Sequence, residues 1–535
     1  GVGAAIAVVM GVTLAPTAFA GSASAESGVA SSVGDVSAPV GVGELTELAS
    51  GGIDPRKGHY RYGVGIASVQ TRGGTPGSLS LTYSQAMVES KDAQVSNRYP
   101  AGKGFMFDMP FVQVETDRVY MSDGSSARID ASSKNGLKRF ASNTVKFEKL
   151  PVAQDLPGRD GVAAQKYRFK LSHNSGDVEY YNADGNQVRF EDAFGNARDL
   201  VWGTGTSKHH LTEVVDPYGQ KTTLKGWGSA KLTVEGPANV DGQPARTVVD
   251  FVSGRVKTVT VADGGAGLKT ELRYNGGNDF KKDLLNQVVT PAGAVTDVTY
   301  QQHAVSGAVA VLTARTTGPG IVNAPTLNFS FDGTKTYAGP NGEDDLFDGT
   351  DYSYRYTTVV RDNYTSVKNT FNKLGLLVKS ESDDLTPSKA KRVVNLTYPG
   401  MNGLDAPKTV PLPMNYGNAT RTETVHSKGS ASRAEVTTAG YDDKGRLIES
   451  VDAAGSRTTT AYDDTFSVPV RSVTVGKGGE GNAPISIAEN QLSESKKTIV
   501  SSTAKVAEAG KKESQATARN TVNTKTNEKT GEVER

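Results

Sequence analysis

Short runs of alternating apolar and polar residues, separated by turns rich in Gly and Asp, dominate this chain. Arg457–Tyr462 reads Arg-Thr-Thr-Thr-Ala-Tyr, and Leu447–Val451 places its Leu and its Val four positions apart. A period of two residues is typical of half-buried strands, and the intervening turn residues favour hairpins. No long amphipathic helical pattern occurs between residues 50 and 480. The pattern therefore predicts an all-β fold built from successive antiparallel hairpins.

One cassette recurs along the chain, and its clearest copy runs from Tyr441 to Gly455 and closes on Tyr462. Two glycines ten residues apart occur in this copy and in an earlier one, and in both an Asp precedes the second Gly by three positions. Internal repeats determine an architecture before any single residue is interpreted. The residues that define the repeat are Tyr181, Gly185, Asp192, Gly195, Asp216, Gly219, Gly293, Tyr300, Tyr441, Asp442, Gly445, Arg446, Leu447, Asp452, Gly455, Tyr462 and Asp463.

A second phrase, in which Leu is followed by Val, then by Asp or Thr, and then by Gly, starts at Leu211, Leu285 and Leu447. An aromatic residue follows the Gly of the repeat by seven positions in three copies, and residues 371–375 form a half copy. These three aromatic residues are Trp202, Tyr300 and Tyr462.

The turn chemistry of the cassette predicts its conformation. Asp accepts hydrogen bonds from its own turn, and Gly adopts the positive φ that closes the turn. We therefore expect Gly445 and Gly455 at positive φ. A hairpin cannot bury its own face, so neighbouring hairpins must cover it, with residues such as Tyr462 packed in a ladder.

Composition and charge exclude several classes of function. The 535 residues contain no Cys, which excludes disulfides, Cys-ligated metals and a Cys nucleophile. The formal net charge of +1 gives no reason to expect binding to nucleic acid or to an anionic membrane. No second apolar run approaches the length that spans a bilayer, so we expect no membrane span after removal of the signal peptide.

Composition shifts divide the chain into five parts. Residues 1–20 are apolar and end on Ala-Phe-Ala, which predicts a secretory signal peptide and a secreted or cell-surface protein. A flexible linker (21–45), a β-rich amino-terminal domain (46–175) and the hairpin-repeat region (176–480) follow. Residues 481–535 are polar and contain no aromatic residue, so they form either a polar tail or truncated repeats.

The segment Tyr441–Leu447, with Asp452, Gly455 and the returning Tyr462-Asp463, resembles the YD repeat of bacterial Rhs proteins. That family includes wall-associated proteins and the B and C components of Tc toxins. Residues 52–62 and 76–84 are similar to the segment that opens many such proteins, and residues 120–125 resemble an Asp-Gly turn that often follows it.

The resemblance implies an extended, spirally wound β-sheet shell. In that family the shell encloses a C-terminal polymorphic toxin, and a core motif with aspartyl protease activity releases the toxin. No such boundary is visible in this sequence, so the resemblance is to the amino-terminal part of the family. It implies a shell segment that is incomplete at its C-terminal end, with the rest of the shell and an enclosed toxin as its partners.

The chain shows no motif for catalysis, so we expect no enzymatic activity and no catalytic, cofactor-binding or metal-binding residues. Residues 341–351 space their carboxylates like a calcium loop but lack the full EF-hand pattern, and a solvated loop is the simpler interpretation. The adjacent His209 and His210 would face opposite sides of a strand and could not easily share a metal. The alternative function is glycan binding at the cell surface by exposed tyrosines.

Overall fold

The computed structural model describes residues 46–48, 50–89, 101–120, 126–137, 145–238, 242–262, 267–304, 306–337, 352–408, 415–464, 467–477, 484–493, 498–506, 514–519, 525–526 and 533–534. The predicted signal peptide (1–20), the linker (21–45) and the acidic loop at 341–351 lie outside these residues.

The amino-terminal part of the chain forms two small antiparallel sheets. The first contains β1 (Thr46–Glu47), β2 (Gly52–Asp54), β3 (His59–Ser68), β4 (Ser78–Ser84) and β5 (Phe105–Phe107), and a short helix α1 (Gln85–Glu89) follows β4. The second contains β6 (Phe111–Gln113), β7 (Arg118–Tyr120) and β8 (Ser126–Arg128).

A single long antiparallel sheet follows, in which each strand pairs with the next one along the chain. Its first half contains β9 (Val145–Leu156), β10 (Gln165–His173), β11 (Val178–Tyr181), β12 (Gln187–Glu191), β13 (Ala197–Trp202), β14 (Leu211–Val215), β15 (Lys221–Lys225), β16 (Lys231–Ala238), β17 (Pro244–Val252), β18 (Arg255–Ala262), β19 (Leu268–Tyr274), β20 (Leu285–Val289), β21 (Val295–Gln302) and β22 (Val309–Thr317).

The second half continues with the same pairing. It contains β23 (Leu327–Phe331), β24 (Arg355–Arg361), β25 (Thr365–Asn372), β26 (Leu377–Asp384), β27 (Lys391–Thr397), β28 (Arg421–Lys428), β29 (Ala431–Tyr441), β30 (Leu447–Val451), β31 (Arg457–Tyr462), β32 (Pro469–Val475), β33 (Pro484–Ser493), β34 (Thr498–Val506) and β35 (Ser514–Arg519). Strands β36 (Lys525–Thr526) and β37 (Val533–Glu534) pair separately.

These pairings confirm the prediction of an all-β fold of successive antiparallel hairpins. The long sheet begins at Val145, inside the range assigned to the amino-terminal domain, and its strands continue beyond residue 480. Among the described residues, no helix has both the length and the apolar character that crossing a membrane requires.

The long sheet winds back upon itself. The side-chain amide of Asn174, in the turn between β10 and β11, donates a hydrogen bond to the carbonyl of Lys444, 270 residues later. Lys444 lies in the turn between β29 and β30, and the side chain of Asn415 donates to the carbonyl of Asp442 in that same turn at 2.9 Å. The hairpin turn at 442–446 therefore touches the start of the sheet, as a spiral winding requires.

The main hydrophobic core lies between the amino-terminal strands β2–β5 and one face of the long sheet. Fully buried side chains of the strands, such as Leu81 and Phe107, join one continuous cluster with Val188 in β12 and Val360 in β24. We call the side of the long sheet that contacts β2–β5 the interior face. The amino-terminal strands therefore fill the concavity of the sheet over β12–β24.

Candidate functional site

The repeat forms a hairpin turn with constant geometry. In the copy at Asp442, the Asp442 backbone N–H donates to the Arg446 carbonyl at 3.0 Å, and the Gly445 N–H donates to the Asp442 carbonyl at 3.1 Å. This is a type I turn followed by a residue in the left-handed region, which is common in antiparallel hairpins. The same two hydrogen bonds recur in turns that begin at Asn182, Asp192, Asp216, Thr290, Asn372 and Asp452.

Glycine closes each of these turns at positive φ, which confirms the prediction for Gly445 (φ 78°) and Gly455 (φ 87°). A side chain in this region of φ and ψ crowds the backbone, so Gly is the residue with the least strain there. The remaining turn glycines with positive φ are Gly185, Gly195, Gly219, Gly293 and Gly375.

The first side chain of the turn caps it from within. One oxygen of Asp192 accepts the backbone N–H groups of Phe194 at 3.0 Å and Asn196 at 2.8 Å. Asp216 caps its own turn in the same way, through the N–H groups of Tyr218 and Gln220. Both carboxylates are therefore used in holding the backbone.

The aromatic residue of the repeat anchors each hairpin to the previous strand. Tyr300 O–H donates to the Leu285 carbonyl at 2.5 Å, and Tyr462 O–H donates to the Leu447 carbonyl at 3.0 Å. The indole N–H of Trp202 likewise donates to the carbonyl of Gln187, fifteen residues earlier. A shift in strand register lies immediately before each aromatic residue, so the bulge directs the ring towards the carbonyl.

The copy at 441–463 adds a charged side chain that connects its first turn to Tyr462. The Arg446 guanidinium contacts the Asp442 carboxylate, with 2.6 Å between Nε and Oδ2, and lies 4.6 Å from the centre of the Tyr462 ring. Burial raises the pKa of Tyr462, so its hydroxyl stays neutral and donates to the Leu447 carbonyl at neutral pH. Tyr462 itself is half-buried.

The remaining predicted repeat residues have equally local contacts. Tyr181 is fully buried and its hydroxyl contacts Glu179. Tyr441 is half-buried and donates to the Ala419 carbonyl at 3.1 Å. The Asp463 backbone N–H donates to the Val468 carbonyl at 2.9 Å, which starts the turn between β31 and β32. The repeat residues therefore lie at successive turns of the sheet and do not converge on one pocket.

Gly455→Val is expected to lower the free energy of unfolding by more than about 1 kcal/mol, because a β-branched residue is strained at positive φ. A Cβ at this position would come within 3.1 Å of the Lys477 Cγ, a flexible side chain, so the cost arises mainly from the backbone. Gly440→Val is the matched control, since Gly440 lies in a strand and its added Cβ would be 3.6 Å from the Glu449 Cβ. Equal midpoints of urea unfolding for the two variants would contradict the turn geometry.

Tyr300→Phe is expected to cost about 1–3 kcal/mol, because the buried Leu285 carbonyl loses its side-chain donor. Tyr300 is 4% exposed, whereas Tyr462 is half-buried, so water replaces the lost donor more readily after Tyr462→Phe. Thermal unfolding of the two variants measures the difference. If Tyr462→Phe proved the more damaging change, the anchoring role of buried aromatic residues would be refuted.

The interior face is the second feature that the structure brings together, and sequence analysis missed it. The Leu285 backbone N–H donates to the hydroxyl of Tyr83 in β4 at 2.9 Å. The side-chain amide of Gln85 donates to the Val309 carbonyl at 2.9 Å. Each bond joins the amino-terminal strands to a strand more than 200 residues away in sequence.

An ion pair and two backbone contacts extend this connection. Lys103 Nζ lies 2.5 Å from Asp283 Oδ2, and the Lys103 backbone N–H donates to the Gly254 carbonyl at 3.0 Å. The Val311 N–H donates to the Gly58 carbonyl at 2.8 Å. Gly58 has positive φ, and a Cβ there would overlap the side chains of the sheet at 2.7 Å. The sheet and the amino-terminal strands are therefore fitted closely to each other.

Several titratable side chains are engaged in structural contacts in the part of the chain that the structure describes. Asp199 is fully buried and contacts both Arg159 and Arg189. His209 contacts the side-chain oxygen of Asn186 at 2.9 Å, and His210 lies against the ring of Trp227. The described residues contain no group of three His, Asp or Glu side chains placed to hold a metal ion.

Comparison with known proteins gives a distant structural likeness. No family model and no curated protein matches the chain. It is similar to a TcdB2-TccC3 structure over 81% of this chain and 23% of that chain, at 10% identity and a TM-score of 0.26. The likeness to the Tc holotoxin pore of Photorhabdus luminescens covers 84% of this chain and 22% of that chain, at 10% identity and a TM-score of 0.30. A further TcdB2-TccC3 structure is similar over 83% of this chain and 24% of that chain, at 11% identity and a TM-score of 0.26.

The chain spans less than a quarter of the length of each of these structures. Because these TM-scores are low, the fold described above rests on the strand pairings of the chain itself.

Proposed function

We propose that the chain is a structural scaffold, a segment of an exported Rhs-type shell, and that it has no enzymatic activity of its own. The observation that carries this proposal is the use of the repeat residues. Asp192 and Asp216 cap turns, Tyr300 and Tyr462 anchor strands, and Arg446 connects its own turn to the Tyr462 ring. Side chains that hold a backbone in this way stabilise an extended surface.

The proposed partners are the rest of the same shell and a toxin enclosed by it. The winding of the sheet, with Asn174 against Lys444, supports a spiral to which further hairpins could be added. Hairpin repeats bury their faces against neighbouring repeats, so each added unit would extend the same sheet.

Expression of the chain in a bacterial cytoplasm tests the absence of activity. We expect growth equal to that of cells carrying the empty vector, because the repeat side chains serve to hold turns and strands together. Growth arrest that follows the level of soluble chain, and that disappears with a single Asp or His substitution, would refute the proposal.

Export is a separate part of the proposal, and it rests on the apolar residues 1–20 and the Ala-Phe-Ala sequence before Gly21. We expect amino-terminal sequencing of secreted protein to begin near Gly21. Retention of residues 1–20 in a membrane fraction would indicate an anchor instead.

Glycan binding by exposed aromatic residues is the alternative function. Among the described residues, Tyr218 and Tyr364 are about half exposed and are therefore candidates for it. Binding of the purified chain to a glycan array that is lost in the Tyr218→Ala and Tyr364→Ala variants would favour this alternative.

A further inference from the structure

The interior face changes character where it leaves the amino-terminal strands. Strand register places one residue from each of six successive strands on the same face, starting from Val360 in the main core. The row turns from apolar to basic along its length. Its members, in order of pairing, are Val360, Val367, Ser382, Arg392, His426 and Arg433.

The basic end of this row lies in a groove of about 440 Å³ at the ends of strands β25–β29. Four cationic side chains line it: Lys391, Arg392, Lys428 and Arg433. Asp384 is the one carboxylate among the lining residues, and one of its oxygens accepts the backbone N–H of Thr386 at 2.8 Å. Among the lining residues, Lys and Arg therefore outnumber carboxylates by four to one.

Two members of the row have side chains without a partner in the part of the chain that the structure describes. Some exposed cations of the sheet pair with an acid on the neighbouring strand, as Lys221 does with Glu213 at 2.9 Å and Arg471 with Glu489 at 3.1 Å. Within the described residues, the side chains of Arg392 and His426 form no hydrogen bond or ion pair, although both backbones pair in the sheet. Arg433 contacts Glu435 on its own strand, and Lys391 contacts Glu381 and Asp383. The side chains of Arg392 and His426 therefore present donors in the groove that the described residues do not satisfy.

We infer that this groove binds an oligomeric oxyanion, a ligand that carries two or more phosphate or sulfate groups. Arg392 and Arg433 lie on strands that are two positions apart, which separates their backbones by about 10 Å. A guanidinium matches the oxygens of phosphate and sulfate with paired hydrogen bonds, and two such groups at this spacing select a ligand with repeated charges. The site is independent of the proposed scaffold function, because none of its four cationic side chains caps a turn or anchors a strand.

Titration calorimetry of the full chain at low salt tests this site, with tripolyphosphate and a sulfated oligosaccharide as probes. Tripolyphosphate reports a phosphate ligand, and the oligosaccharide reports a sulfated glycan. We expect Arg392→Gln and Arg433→Gln each to raise the dissociation constant at least about tenfold, as loss of a charge-assisted hydrogen bond does.

Arg471→Gln is the matched control, because it removes the same charge from an exposed guanidinium that pairs with Glu489. We expect this variant to bind like the unmodified chain. Failure of both probes to bind would overturn the inference, and so would equal weakening by Arg471→Gln, since that would indicate attraction to the whole surface. Circular dichroism of each variant confirms that the sheet is intact.

Discussion

Phe107→Ala is expected to lower the free energy of unfolding by about 3–5 kcal/mol, which is the usual cost of removing a buried aromatic ring. Phe107 is fully buried in β5, and its ring centre lies 6.4 Å from that of Trp202 and 5.8 Å from that of Trp227. Both edge-to-face contacts join an amino-terminal strand to the long sheet. The loss of stability should therefore appear as a lower midpoint of urea unfolding for the whole sheet.

Phe280→Ala is the matched control, because it removes the same ring from a residue that is 39% exposed. We expect it to change stability by less than about 1 kcal/mol, as substitutions at the surface do. Similar losses for both variants would mean that Phe107 does not pack between the two parts of the chain.

Acidification is expected to destabilise the contact between the amino-terminal strands and the sheet through His59. Burial lowers the pKa of His59 to about 3, and the nearby cation Lys57 adds to the effect. The ring nitrogen lies 3.1 Å from the hydroxyl of Tyr337, in the segment between β23 and β24. Protonation would therefore place a charge at a buried contact between the two parts.

The sign of the pH dependence follows from the lowered pKa of His59. Between about pH 3 and pH 6.5 the unfolded chain binds more protons than the folded chain. The contribution of neutral His59 to the free energy of unfolding is thus complete above pH 6.5. It is lost as the pH falls, by roughly 3 kcal/mol at pH 4. Asp54 titrates in a separate range: burial raises its pKa, but Arg56 and Arg61 outweigh burial and hold it below the usual value.

His59→Gln separates this effect from the other titrating groups. We expect the variant to lose less stability than the unmodified chain between pH 6.5 and pH 4, measured by urea unfolding at each pH. Parallel pH profiles for the two proteins would show that His59 is not buried at this contact.

Local turn chemistry allowed the repeat to be predicted from the sequence. Gly445 and Gly455 adopt the expected positive φ because an Asp three positions earlier accepts the N–H groups of the turn. Asn and Thr can replace this Asp, since each has an oxygen within reach of the same N–H groups. Residues 371–375 looked like a half copy, yet Asn372 caps a complete turn there.

Long-range packing could not be predicted in the same way. Sequence analysis placed the aromatic residues in a ladder between hairpins but gave no sign that Trp202, Tyr300 and Tyr462 each donate to a backbone carbonyl of the preceding strand. The packing of β4 and β5 against the interior face depends on contacts between residues about 100 to 200 positions apart, and no local pattern specifies such contacts. The basic row was missed for the same reason, because Arg392 and Arg433 become neighbours only through strand register.

The central claim is that the amino-terminal strands fill the concavity of the wound sheet, and a zero-length cross-link tests it most directly. Carbodiimide joins a lysine amine to a carboxylate only when the two are in contact, and Lys103 Nζ lies 2.5 Å from Asp283 Oδ2. We expect mass spectrometry of the folded chain to detect a Lys103–Asp283 peptide, which Lys103→Arg should abolish because a guanidinium does not form this amide. Absence of the peptide in a sample where Lys221 and Glu213, on adjacent strands, do cross-link would contradict the account.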